Sequence, residues 1–328
     1  MITALVVALG LLLLAPPATE GQPAGTIPKV GLLGPGAPSA TLTSVQREPF
    51  EKGLRELGWT PGVNVTLEYR YAGESAARLA EQAVELVRLG VDVVVARGPQ
   101  AVRAVRQASA TVPIVMATVD DAVALGFVAS LARPGGSTTG IANRTWELDG
   151  KRLALLKEAL PGLARVGILA NPQKTRFPEL GTALLGTAQS LGLRAQVFEV
   201  TRSADIATAF TAVARARVGA LLVLTDIQVL EPNRARIVAL AREHRLPAMY
   251  PWRFYAELGG LMSYSATLPD LHYRSAMYVD RILRGAKPSD LPVEEPTRFE
   301  LVINVRTARA LGVTNAPSVM LQADQLIE

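Results

Sequence analysis

Arg97 ends the apolar run Val91–Ala96, and Gly98, Pro99 and Gln100 follow it at the start of a segment with helical spacing, Pro99–Ala108. A guanidinium fork beside the free N–H groups of a helix N-terminus is chemistry for holding a carboxylate. Asp120 and Asp121 follow the next apolar run, Ile114–Ala117, and Asp226 follows Ala220–Leu224, so carboxylates suited to an ammonium group stand at equivalent positions. Arg144 and Arg253 add two cations, and Tyr250, Trp252, Phe254 and Tyr264 offer flat apolar surface in a chain that is only 5% aromatic. The simpler alternative is that Arg97 pairs with Asp120 or Asp121 and meets no ligand. These groups bind and orient; they do not assemble a proton-transfer site. The two histidines, His244 and His272, fall outside these loops, so no Ser/His/Asp triad can be built from them. HExxH, EF-hand, GxSxG and GxxxxGK[ST] patterns are absent, and Arg133-Pro134-Gly135-Gly136-Ser137 lacks the lysine of a phosphate loop and reads as a turn. No cofactor, metal or catalytic residue is expected.

The elements that must position these residues follow a repeating order. From Pro28 onward the chain reads as strand Val30–Leu33, helix Gln46–Leu57, strand Val63–Tyr71, helix Ser75–Leu89, strand Val91–Ala96, helix Pro99–Ala108 and strand Ile114–Ala117. Continuous apolar strands alternating with amphipathic helices form a parallel sheet covered on both faces. The same order then restarts. Val166-Gly167-Ile168-Leu169 echoes Val30-Gly31-Leu32-Leu33, Ala220–Leu224 after helix Ser203–Ala216 echoes Val91–Ala96, and Leu246-Pro247-Ala248 echoes Val112-Pro113-Ile114. The predicted fold is therefore α/β, with two similar open parallel-sheet lobes in succession. Helix Leu268–Arg284, a proline-marked connector and strand Phe299–Val305 suit a chain that crosses back after both lobes are built. Three crossover strands are expected, near 141–145, 265–267 and 292–298. The predicted lobes are 28–143 plus 266–291 and 144–265 plus 292–328.

Open α/β sheets bind ligands beyond the carboxyl ends of their strands, and interdomain clefts favour small-molecule sites. In the first lobe that rule nominates Gly34; Arg97, Gly98, Pro99 and Gln100; Thr118 and Asp120; and Asn143, Arg144 and Thr145. In the second it nominates Asn171; Thr225 and Asp226; Tyr250 and Trp252; and Tyr264. The expected ligand is a zwitterion or organic acid.

Composition narrows the rest. With 328 residues, 49% of them hydrophobic, the chain has material for about two domains. Its net charge of +5 is dispersed over many helices, unlike the concentrated basic stripe of a nucleic-acid binder. There is no cysteine, which removes disulfides, thiolate metal ligands and a lipoprotein anchor. Ile2–Ala15 is uncharged and apolar but shorter than the about 20 residues that span a bilayer, and Pro16, Pro17 and small or polar residues follow it. This is the shape of a secretory signal, predicted over residues 1–25, although no Lys or Arg precedes it.

Several long stretches carry a family resemblance. They include Phe50-Glu51-Lys52-Gly53-Leu54-Arg55-Glu56-Leu57-Gly58-Trp59, Leu86-Val87-Arg88-Leu89-Gly90-Val91-Asp92, Leu125-Gly126-Phe127-Val128-Ala129-Ser130-Leu131-Ala132-Arg133-Pro134-Gly135-Gly136, Gly259-Gly260-Leu261-Met262-Ser263-Tyr264 and Phe299-Glu300-Leu301-Val302-Ile303-Asn304. From Ile27 to Glu328 the chain resembles the ABC-importer substrate-binding family whose characterised members take up tryptophan and tyrosine. The resemblance implies the type I periplasmic-binding-protein fold, an extracytoplasmic or periplasmic location, a small-molecule ligand, and partnership with an ABC permease and its ATPase. The chain departs from the family's usual pattern at Arg97, Gln100 and Asp120-Asp121. Two other readings remain: a ligand-sensing module of a signalling system, and an amide- or sugar-processing enzyme that the residue inventory disfavours. The N-terminal reading has a direct measurement: N-terminal sequencing of protein from its native host should place the first residue between about Ala18 and Gly25, and soluble protein retaining Met1 would contradict it.

Overall fold

The computed structural model describes residues 26–36, 43–73, 75–143, 145–173, 177–313 and 317–328. The apolar run Ile2–Ala15 and the nominated Arg144 lie outside them. The first sheet comprises β1 (Lys29–Gly34), β2 (Thr66–Tyr71), β3 (Val93–Arg97), β4 (Ile114–Val119) and β5 (Thr138–Ala142). Its helices are α1 (Glu48–Glu56, entered through a π-helical turn at Thr43–Arg47), α2 (Ala76–Arg88) and α3 (Gly98–Ala108). All its strands are parallel, in the order β2-β1-β3-β4-β5.

The chain then continues through α4 (Glu147–Ala159), β6 (Arg165–Ala170), α5 (Phe177–Ser190), β7 (Arg194–Glu199), α6 (Asp205–Ala216), β8 (Ala220–Val223), α7 (Arg234–Glu243), β9 (Ala248–Tyr250), α8 (Arg253–Glu257) and β10 (Met262–Ala266). After α9 (Leu268–Leu283) come β11 (Phe299–Asn304), α10 (Val305–Leu311), α11 (Pro317–Gln322) and β12 (Gln325–Ile327). The second sheet runs β12-β11-β10-β9-β8-β6-β7. Its portion β7-β6-β8-β9-β10 repeats the strand order of the first sheet, so the echo read in the sequence is a repeat of topology. The tail extends this sheet: β11 pairs antiparallel with β10, and β12 lies parallel to β11.

Burial explains why the strands read as unbroken apolar runs. β3 and β4 are buried along their whole length. Alternate side chains face opposite ways: Val94, Ala96, Ile114 and Met116 pack with Leu86, Val102 and Val105. Val93, Val95, Val115 and Ala117 face Phe50 and Leu54 of α1 and Leu271, Ala276 and Val279 of α9. Thus α9 leaves the second sheet to cover the first, where Trp59 Nε1 donates to Asp280 Oδ1 at 2.8 Å. One expected strand is shorter than its alternation suggested. Over 61–64 the chain turns, with Gly62 N–H donating to Val65 O, so Val63 is 67% exposed and β2 begins at Thr66.

Three crossings join the lobes: after β5, between β10 and α9, and after Glu294, which forms a bridge with Ile141. The side chain of Arg152, on α4, is fully buried beside them. Its Nε donates to Tyr264 O at 2.8 Å, its Nη1 to Thr145 O at 3.2 Å and Asp149 Oδ1 at 2.6 Å, and its Nη2 to Pro251 O at 3.4 Å. Arg152→Met would leave three carbonyls and a carboxylate without this donor. We expect a loss of about 3–5 kcal/mol in urea unfolding, the range for removing one partner of a buried ion pair.

Candidate functional site

A pocket opens where the carboxyl ends of β3, β4 and β5 meet the second sheet's loops. From the first side it is lined by Pro99 and Gln100 at the start of α3, by Thr118, Asp120, Asp121 and Leu125 after β4, and by Asn143, Thr145 and Trp146 after β5. From the second side come Leu180 of α5, Thr225, Asp226 and Ile227 after β8, and Trp252 after β9.

Local backbone geometry aims several of these groups. The pairing of β4 with β5 shifts register between Met116 and Val119, a bulge of the kind that re-aims side chains beside sites. Thr118 (φ 56°) and Asp121 (φ 39°) hold left-handed conformations there, which cost non-glycine residues energy and collect at binding sites. Glycine is required opposite the bulge: Gly140 has φ 125°, and a Cβ on it would lie 2.4 Å from Met116 O. Among the described residues, Thr118 Oγ1, Asn143 Oδ1, Gln100 Oε1 and Trp252 Nε1 are buried in the pocket wall without a hydrogen-bond partner. Buried polar atoms are nearly always paired, so a pocket holding such donors and acceptors is matched to a ligand that carries both.

The acids have structural partners. Asp120 Oδ1 accepts from Thr145 N at 3.0 Å and from the Thr145 hydroxyl, tying β4 to the first crossing. Asp226 Oδ1 accepts from Val229 N at 2.5 Å and Leu230 N at 2.9 Å, while its Oδ2 accepts from Asn171 Nδ2 at 3.1 Å. Asn171 supports Asp226 and does not itself line the pocket.

Arg97 corrects the sequence reading most sharply. It meets neither Asp120 nor Asp121 and does not line the cleft pocket; its Nη2 donates to Glu231 Oε1 of the second lobe. Gly34 and Arg97 instead wall a separate pocket in the first lobe, with Tyr69, Tyr71 and His272. There His272 is held neutral, its pKa pushed down to about 3 by burial and by the charge of Arg97. Gly98 faces Ile227 across the cleft and is not a pocket-wall residue. Tyr250 turns into the core, only 1% exposed, stacked on Tyr255 at 5.0 Å and lying over Gly260. Tyr264 stacks on Phe299 at 6.0 Å, an edge the tail strand β11 supplies. Neither tyrosine closes over the pocket. Arg253 pairs with Glu257 at 2.7 Å and Glu300 at 3.7 Å, and Phe254 is buried in the core. His244 is exposed at the end of α7, against the ring of Phe210.

Beside the nominated Trp252, the apolar part of the pocket comes from residues outside the nominated set. Ile227 sits inside a nominated loop, and Trp146 one residue beyond another. Leu125 and Leu180 carry no local signal, because they reach the pocket only through tertiary packing.

Comparison with known proteins agrees with this architecture. A solved conserved domain protein from Vibrio cholerae is 26% identical, with a TM-score of 0.84 over 92% of this chain and 100% of its own. An ABC domain from Streptococcus pneumonia, solved in complex with L-Trp, is 25% identical, with a TM-score of 0.80 over 91% of this chain and 100% of its own. A tyrosine-binding protein of Clostridioides difficile is 23% identical over 267 residues, 81% of this chain and 76% of that protein. The family profile described as ABC transporter substrate binding protein matches residues 41–327. The family's description is one of substrate binding, and the pneumococcal domain holds L-Trp. The chain belongs to the ABC transporter substrate binding protein family.

Proposed function

We propose that this protein is the extracytoplasmic receptor of an ABC importer and captures an amino acid with a flat apolar side chain between its lobes. It would be exported by the segment predicted over residues 1–25, and would deliver its ligand to a membrane permease driven by an ATPase. The lobes that close on the ligand are 28–143 plus 266–291 and 144–265 plus 292–328.

The observation that carries this reading is the cleft pocket itself. It combines Trp146, Trp252, Leu125, Leu180 and Ile227 with buried polar atoms of Thr118, Asn143 and Gln100 that have no hydrogen-bond partner among the described residues. Indole faces and branched aliphatics favour a planar apolar body, and the polar atoms favour a head group that both donates and accepts. The start of α3 faces the same space through Pro99 and Gln100, so its amide groups take over the carboxylate role first expected of Arg97. The L-Trp bound in the pneumococcal relative and the tyrosine in the clostridial protein's name supply the ligand class by similarity.

Thermal unfolding of the mature protein with L-tryptophan and L-tyrosine tests the assignment. A true ligand at about 100 times its Kd adds about 2.7 kcal/mol of stability and raises Tm. Asn143→Ala should reduce or abolish that shift for the same ligand. Unchanged Tm with both amino acids would reject the ligand class, and an undiminished shift in Asn143→Ala would reject this pocket as its site.

A further inference from the structure

Glu231 lies between β8 and α7 of the second lobe, and Arg97 ends β3 of the first. Their side chains are 4% and 7% exposed, and the Arg97 guanidinium donates to the Glu231 carboxylate across the boundary between the lobes. We propose that this buried pair is a closure latch whose residues position the two lobes and set the balance between open and closed cleft without touching the ligand. Neither side chain lines the cleft pocket. Two further contacts cross the same seam. Gln100 Nε2 donates to Gln228 Oε1 at 3.3 Å. Beside it Gly98, with φ 76°, lets Ile227 approach so closely that a Cβ would lie 2.1 Å from Ile227 Cδ1. The seam is thus shaped for contact between the lobes at the point where the ion pair forms.

The electrostatics give the pair its leverage. Hinge opening separates the two lobes and returns both charges to water. In the closed seam, Arg97 Nε and Glu231 Oε2 have no hydrogen-bond partner among the described residues, so the facing charge is the main compensation for burial on each side. A matched buried pair is close to neutral in net free energy, whereas one member buried without the other is strongly unfavourable. Removing either residue should therefore populate the open form. Replacing both by apolar side chains of similar volume should restore closure.

Small-angle scattering without any ligand tests this on the mature wild-type chain, Arg97→Ala, Glu231→Ala and the double variant Arg97→Met/Glu231→Leu. Each single variant should show a larger radius of gyration than wild type, and the double variant should return to the wild-type value. Circular dichroism checks folding, and Glu231→Gln replaces any single variant that fails to fold. Single variants that scatter like wild type would overturn the latch, as would a double variant as open as the singles. Calorimetry with L-tryptophan adds a second readout. Apparent affinity falls with the closed fraction, so the single variants should bind at least about tenfold more weakly and the double variant within about threefold of wild type. A double variant as weak as the singles would instead mean direct ligand contact and would overturn the latch. Absence of L-tryptophan binding by the wild-type chain would count against the ligand proposed above, with the ligand-free scattering still deciding the latch.

Discussion

The buried guanidinium of Arg152 is the constraint on which the arrangement of the two sheets depends. It lies on the first helix after the chain leaves the first sheet, and its donors reach the carbonyls of Thr145, Pro251 and Tyr264. Those carbonyls belong to the first crossing, the loop after β9 and the strand that leads into the second crossing. Segments between sheets carry backbone groups that no ladder satisfies, and burying them unpaired would be costly. A planar group with five N–H donors satisfies several at once, in fixed directions, as lysine's flexible ammonium does not. One side chain thereby fixes where the crossings lie relative to Trp252 and Thr145, both of which wall the cleft pocket.

The site is built on the same principle, with polar groups of the protein holding one another so that others face the pocket. Asp120 holds Thr145, and Asp226 organises its own loop with help from Asn171. The positive φ angles of Thr118 and Asp121 and the glycine opposite the β4 bulge concentrate backbone strain at the end of one strand. Strain there is tolerable because β4 is buried along its length and braced by β3 and β5. A rigid sheet with a distorted end presents side chains at angles that regular strand geometry cannot reach.

The two ionic arrangements divide the labour of a two-lobed binder. Arg152 works at the crossings, where the chain must stay in register however the lobes stand. Arg97 and Glu231 meet only where the lobes touch. The first is anchored largely by backbone carbonyls, and the second joins side chains from residues 134 positions apart in sequence. This difference explains what local spacing could say of Arg97: its position at a strand end was legible, whereas the partner that holds its charge lies in the other lobe.

The sequence by itself determined the class of fold and its internal repeat. Valine-rich runs, amphipathic helices and the restarted order are local patterns, because burial on both faces of a parallel strand and on one face of a helix is written in neighbouring residues. The loops beyond the strand ends were legible for the same reason, so Pro99, Gln100, Thr118, Asn143, Thr225 and Trp252 were nominated and line the pocket. What those side chains do within the loops was decided by tertiary structure. Tyr250 points into the core because Gly260 leaves room for its ring, and Tyr264 meets Phe299 because a tail strand pairs antiparallel beside it. Leu125 and Leu180 become pocket walls, and Glu231 becomes the partner of Arg97, through contacts between segments far apart in the chain. Local spacing records which face an element buries; which atoms meet across two lobes depends on how the finished sheets dock.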